Sequence, residues 1–447
     1  MVNGVSFRRG IGRFATAALL LSVVALGMWR PAAASDVADW NNVAFSVLTA
    51  GGQNNVTLTR GLAMVSVAIH DALNAIDRRY EAYAFDGAAE PNASAEAAVA
   101  TAARDSLVLA IPAFGAASQQ AAAISMADAA YSAALAKIPD SPAKASGVAV
   151  GRAVAAAIVS LRKDDGAIMD APYTPGSAPG QWRPHPNPAP ADPPIPNPAL
   201  ALGYGASMLP GWGNMTPFTL LSGRQFRPAG PPPLTSEAYT RDFNEVKSLG
   251  GKKSTARSPE QSQIARYWYE GSPQGWNRIA RVVAATKNLD RWDLARLLAA
   301  VNLAMADGFI AGWNTRYHYN FWRPVTAIRL ADTDGNPDTG ADPAWETFLN
   351  TPPIPDYPST HSVLGGAAAA TLAELLGADR IAFTMTNGAP FAGITRSFTS
   401  FSHAAQENAD SRVYAGIHFR TACRDGVALG QKIGQRVARM YLLPIRR

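Results

Sequence analysis

Three short stretches in the second half of the chain hold residue types suited to gripping a tetrahedral oxyanion: residues 316–324 (RYHYNFWRP), 357–362 (YPSTHS) and 411–418 (SRVYAGIH). Arg316, Arg323 and Arg412 are planar, permanently charged and able to donate two parallel hydrogen bonds to one anion. Arg316 and Arg323 stand seven residues apart, nearly two helical turns, and share one face if a helix runs that far. Ser359 and Thr360 follow Pro358 and precede an apolar helical run over 363–376. A helix N-terminus there offers free amides and the positive end of its dipole. His361 and His418 supply what arginine lacks: a nucleophile or metal ligand, and a proton donor near neutral pH.

Each residue alone has an ordinary explanation. A single arginine is usually a solvated or ion-paired surface residue, Pro-Ser-Thr is usually a turn with an N-cap, and a single histidine is usually structural. Their ordered occurrence within about a hundred residues is what points to an anion site.

The elements that must position these groups are helical. Leu62, Val65, Ala68, Ile69 and Leu73 recur at spacings of three and four, and the alanine-rich run 93–160 has few breakers. Further helical patterns cover 259–269, 278–285, 292–313, the stretch after His361, and 424–441. Between 164 and 255 prolines and glycines crowd together, which excludes long helices there. Trp182, Trp212, Phe218 and Phe226 suit that segment to wrapping over the surface rather than linking two bodies. The chain thus reads as an N-terminal helical region (36–163), a Pro/Gly-rich irregular segment (164–255) and a C-terminal helical region carrying the site (256–447). No βαβ alternation appears, so the fold class is all-α with a helix-bundle architecture.

The first 35 residues read as an export signal: Arg8, Arg9 and Arg13, an apolar stretch from Ala15 to about Trp29, then Ala32-Ala33-Ala34. A periplasmic or secreted protein is expected. No other run of 18 uninterrupted apolar residues occurs, so no membrane span is expected in the mature chain. The 447 residues carry a net charge of +6 with scattered basic residues, which does not suggest a nucleic-acid partner. Cys423 is the single cysteine, and no zinc-type Cys/His spacing exists. Residues 332–342 (DTDGNPDTGAD) have Pro337 and Pro343 where a calcium loop needs glycine and glutamate, and so read as a polar turn. His70 and Asp71 read as a structural hydrogen-bonded pair.

The three stretches resemble the three-part signature of the vanadium-dependent haloperoxidase and type 2 phosphatidic acid phosphatase superfamily, K-x6-R-P, P-S-G-H and S-R-x5-H-x3-D. The resemblance to bacterial vanadium haloperoxidase-like proteins extends to residues 70–77, 245–250 and 332–337 and to the proline-rich middle. It implies a vanadate cofactor, with phosphate able to occupy the same place. Arg316, Arg323 and Arg412 would hold the anion's oxygens, and Ser359 and the Thr360 amide would add neutral donors. His418 would be the ligand to vanadium, or the nucleophile toward phosphorus, and His361 the acid–base group. Trp313 matches a tryptophan near the halide site of some haloperoxidases, or else simply closes the pocket. The implied partners are hydrogen peroxide and a halide. The alternatives are a phosphatase acting on phosphomonoesters through a phosphohistidine, and a degenerate oxyanion binder without turnover. Three departures stand out: Arg316 replaces the lysine, Thr360 the glycine, and Ala422 the final aspartate, with Asp425 too far along to substitute.

Overall fold

The protein was analysed as a computed structural model describing residues 35–111, 114–168, 171–185 and 208–445. The export signal read in the first 35 residues falls, apart from Ser35, outside these, as does most of the proline run 184–198.

Among the described residues five helices form the N-terminal region: α1 (Ser35–Ala50), α2 (Asn55–Ile76), α3 (Ala95–Ala110), α4 (Ala117–Leu135) and α5 (Pro142–Arg162). Eight follow: α6 (Glu237–Leu249), α7 (Pro259–Tyr267), α8 (Ser272–Thr286), α9 (Arg291–Tyr319), α10 (Pro324–Arg329), α11 (Thr360–Leu375), α12 (Phe401–Tyr414) and α13 (Arg420–Met440). Their starts are set locally. Asn54, Ser94, Ser141, Asp290, Ser359 and Ser400 each accept an amide of the following turn. Prolines 142, 259, 273 and 324 sit in first turns, where the missing N–H is harmless.

The fold is all-α, as expected, with one small exception. β1 (Phe383–Thr386) and β2 (Thr395–Phe398) pair antiparallel with Phe383 opposite Phe398. Phe383 and Met385 face inward while Thr384 and Thr386 face out, a four-residue alternation too short to stand out in the sequence. Helix α6 also lies within the segment read as irregular, and α12 within a polar stretch not read as helical.

One core runs through both helical regions, joining Leu62, Val65 and Ile69 of α2 to Val301, Met305 and Ile310 of α9 and to Leu364, Leu372 and Ile433. The irregular segment is fastened onto it. Trp182 and Trp212 are buried. The buried Asp307 carboxylate of α9 accepts from the amides of Phe218, Thr219 and Leu220 at 2.6, 2.7 and 3.0 Å. By length and mean hydropathy α2, α5 and α9 could each cross a membrane, although none is an uninterrupted apolar run. The apolar stretches of α2 and α9 are 100% and 94% buried inside the protein, and that of α5 33%.

What positions the site is the close packing of α11 between α9 and α13. A Cβ at Gly430 would lie 2.0 Å from the Val363 carbonyl, and one at Gly434 2.3 Å from that of Ala367. On the other side a Cβ at Gly312 of α9 would meet Thr360 Cγ2 at 2.8 Å. Backbone therefore packs almost on backbone, and the N-terminus of α11 is held beside the C-terminus of α9 and the start of α13. Gly430→Ala should force α11 and α13 apart. The expected loss is on the order of 1–3 kcal/mol by chemical denaturation, with weakened binding of sulfate or phosphate. An unchanged unfolding midpoint would show that the helices can give way without consequence.

Candidate active site

Arg316 lies in the last turn of α9, which stops at Asn320 in a left-handed conformation (φ 50°). The chain then reverses, and Arg323 takes an extended conformation (φ −84°, ψ 155°) as the residue before α10. The two arginines therefore do not share a helix face, as the sevenfold spacing suggested. They meet because the chain turns back between them. Arg412 comes from the last turn of α12.

All three guanidinium groups are fully buried. Arg316 donates to the Pro355 carbonyl at 2.5 Å and to Thr360 Oγ1 at 3.2 Å. Arg323 donates to the carbonyls of Ile354 (2.7 Å) and Ile417 (3.0 Å), and Arg412 to that of Trp268 (3.4 Å). These neutral acceptors orient the cations without cancelling their charge. Among the described residues the one carboxylate paired with any of them is Asp356, 3.6 Å from Arg323 Nη1. Arg316 Nε, Arg323 Nη2 and Arg412 Nε are buried without a hydrogen-bond partner. Burial and mutual repulsion hold Arg316 well below the ordinary arginine range, and burial, set against Asp356, lowers Arg323 to about 10. Burial likewise lowers Arg412 to about 10.

His418 sits in the turn between α12 and α13, with Nε2 3.0 Å from Arg323 Nη1 and 3.4 Å from Arg316 Nη2. That turn needs Gly416, whose φ is 79° and whose Cβ would lie 2.2 Å from the Gly250 carbonyl. His361, in the first turn of α11, places Nε2 3.3 Å from the Glu270 carbonyl. It is half-buried and borders the cavity. Burial first, then the arginines, keeps both imidazoles well below their ordinary range, so both are neutral at pH 7.

Arg316, Arg323, Thr360, His361, Arg412 and His418 border one small cavity of about 90 Å³. Trp313 joins them, with Arg316 5.6 Å over its ring. Ser359 is not among the lining residues. Its hydroxyl oxygen caps α11, accepting from the Ser362 amide at 3.4 Å and from the Ser362 hydroxyl at 3.0 Å. The rest of the wall is mostly apolar and comes from distant parts of the chain: Val56 beside Asn54 and Asn55 at the start of α2, Met208 of the irregular segment, Tyr269, Phe309, Pro352 and Ile354. Met208 is held there by its carbonyl, which accepts from Tyr317 Oη at 2.7 Å and Trp313 Nε1 at 3.2 Å.

Sequence reasoning missed Asp356. Its Oδ1 is 2.8 Å from His418 Nδ1, and it is completely buried. Burial outweighs Arg323 and Arg316 and pushes its carboxyl up to about 7. The available hint was an acidic residue immediately before Tyr357-Pro358 in a chain that lacks one at 422. Asp425 does not reach the histidine and instead accepts from Tyr357 Oη at 2.6 Å. The other two polar features are local. Asp71 lies 2.9 Å from His70 Nδ1 and accepts the amides of Tyr83, Ala84 and Phe85. Asp334 closes its turn by accepting from the Asn336 amide and the Thr339 hydroxyl, both at 2.8 Å. No group of three or more potential metal-ligating side chains exists among the described residues.

Three buried cations against one carboxylate leave a strong positive excess beside unused donors, and a tetrahedral oxyanion fits that chemistry. The comparisons with known proteins agree. Residues 296–446 match the VCPO second helical-bundle domain family. The chain is 30% identical over 269 residues to the vanadium chloroperoxidase of Curvularia inaequalis, a match spanning 44% of each protein and so less than half the length of that relative. A bacterial vanadium-dependent iodoperoxidase superposes with a TM-score of 0.75 at 26% identity, covering 92% of this chain and 98% of that one. Apo- and holo-type bacterial vanadium-dependent chloroperoxidases follow at TM-scores of 0.68 and 0.65. At 18% identity they speak for the fold alone; the matches cover 86% of this chain and 93% and 91% of theirs.

Because burial and then the surrounding arginines depress both imidazoles, an entering anion that offsets the arginine charge should raise their pKa values and draw protons onto the protein. Sulfate is a suitable probe, since it has no proton of its own to exchange in this range. Calorimetry in buffers of different ionisation enthalpy should register net proton uptake on sulfate binding, and affinity should rise as pH falls from 7 toward 5. Binding without proton exchange would show that the histidines do not feel the arginines.

Proposed function

We propose that this chain, a vanadium-haloperoxidase-like protein by domain family and fold, is an exported enzyme that uses hydrogen peroxide to oxidise a halide. The observation that carries the reading is that three incompletely paired guanidinium groups border one cavity with His418, two of them within 3.4 Å of its Nε2. Arg316, Arg323, Arg412 and His418 would hold vanadate as the resident group. When bound, vanadate supplies a Lewis-acid centre that activates peroxide without changing its own oxidation state.

The chain's own residues have distinct tasks. The arginines offer charge-assisted donors in a buried setting, where their orientation needs no rearrangement during reaction. His418 presents Nε2 as the nitrogen carrying the lone pair, since it is the one that faces donors of both Arg316 and Arg323. His361 is neutral in the free cage and so is ready to accept a proton from peroxide. With Nε2–H donating to the Glu270 carbonyl, Nδ1 is the accepting atom. Trp313, Phe309, Ile354 and Met208 exclude water from the apolar side.

A phosphomonoesterase acting through His418 is the second reading, and one observation favours it. The carboxylate that a nucleophilic histidine needs, missing at 422, is supplied by Asp356. In that case His361 would protonate the leaving oxygen.

Protein prepared without phosphate and assayed with orthovanadate, bromide, peroxide and a phenol should halogenate the phenol, and added phosphate should suppress this competitively. Aryl phosphate hydrolysis, inhibited by vanadate and present without halogenation, would replace the first reading with the second. Absence of both activities would reduce the chain to a binder. His361→Ala should leave vanadate affinity nearly unchanged while slowing turnover by ~10²–10⁴-fold. Turnover equal to that of the unmodified protein would remove His361 from the acid–base role.

A further inference from the structure

We propose that Asp356 is the positioning residue of His418, taking over from the second segment the task that the family's third segment assigns to an acid at position 422. The inference builds on the anion-cage reading of the site, but its geometry is independent of which reaction the cage serves.

His418 Nε2 faces Arg323 Nη1 at 3.0 Å and Arg316 Nη2 at 3.4 Å. A guanidinium has five donors and no acceptor; Arg323 Nη1 also lies 3.4 Å from Nδ1 but is nearer Nε2, and Nε2 alone faces both arginines, which assigns the lone pair to Nε2 and the ring proton to Nδ1. Nδ1 in turn lies 2.8 Å from Asp356 Oδ1, and among the described residues this is the one carboxylate within ion-pair distance of the ring. The tautomer that aims Nε2 at the anion is thus the one that Asp356 selects.

The carboxylate also stands where an acid at 422 would reach. Asp356 and Ala422 line the same tightly filled spot, together with Phe419 and Thr421. The Ser359 amide donates to the Ala422 carbonyl at 2.9 Å, and the Asp356 amide to the Phe321 carbonyl at 2.8 Å. The segment bearing Asp356 is therefore fastened to both other anion-binding segments.

Asp356 has a second effect of opposite sign, and this makes the role testable. Lying 3.6 Å from Arg323 Nη1, it subtracts from the cage's positive charge. Its removal should strengthen or leave unchanged the binding of an anion held by charge alone, and weaken one bonded to Nε2. Partners that orient a metal-binding histidine are commonly worth 10–100-fold in affinity. Calorimetry on Asp356→Ala should therefore show vanadate bound ~10–100-fold more weakly, with sulfate bound equally or more tightly. The double variant Asp356→Ala/Ala422→Asp should restore vanadate affinity.

Nitrogen-15 spectra of the His418 ring in anion-free protein give a readout that needs neither vanadate nor turnover. The Nδ1–H tautomer should dominate in the unmodified protein, lose its dominance in Asp356→Ala and return in the double variant. Asp356→Asn keeps the side-chain shape if the alanine variant fails to fold, and should also weaken vanadate selectively. The proposal is overturned if the tautomer is the same in all variants, or if vanadate and sulfate affinities move together. An unmodified protein that binds vanadate no better than sulfate would instead defeat the functional reading, with the tautomer measurement still deciding the role of Asp356.

Discussion

Three guanidinium groups buried around one imidazole, with a single carboxylate for company, form the constraint on which the rest of this structure depends. Such an excess of charge is unfavourable in a folded interior unless the cations are rigidly held and a counter-charge can enter. Backbone carbonyls of residues 354, 355, 417 and 268 do the holding. They come from segments that could not be this close unless the helices between them were nearly in backbone contact. The glycines at 312, 426, 430 and 434 make that contact possible, so the packing of α9, α11 and α13 and the geometry of the cage are one problem with one solution.

The same constraint explains why the histidines differ from free imidazoles. Burial and positive surroundings favour the neutral ring, which suits His418 to act as a ligand or nucleophile and His361 to act first as a proton acceptor. Asp356 provides the single opposing charge. It stands beside Nδ1 of the ring and 3.6 Å from Arg323, where it can fix the tautomer while Nε2 faces the arginines. The apolar wall then sets off this polar centre from water using pieces of the chain as distant as Val56 and Met208. The irregular segment belongs to the site for this reason. Asp307 ties residues 218–220 to α9, and the hydrogen bonds from Trp313 and Tyr317 hold Met208 at the cavity.

Much of this was legible in the amino-acid order. The all-α class follows from apolar spacings of three and four and from capping serines, which are local properties of neighbouring residues. The ordered arginine and histidine segments follow from the chemistry of an oxyanion, because only a few residue types can hold one. Shared family motifs carried their assignment further than composition could.

What the tertiary structure decided are the relations that cross between segments. The spacing of Arg316 and Arg323 suggested one helix face, yet a left-handed Asn320 ends the helix and brings them together by reversal. Ser359, read as an anion donor, accepts at its hydroxyl oxygen as the cap of its own helix, a second task that the sequence order does not separate from the first. The acid absent at 422 arrives at 356, sixty-two residues before the histidine it serves, a pairing that no local periodicity records. The sequence by itself determined which groups could do the chemistry. The tertiary structure decided which of them face one another, because a side chain's direction depends on where its helix stops and on how closely the neighbouring backbone can approach.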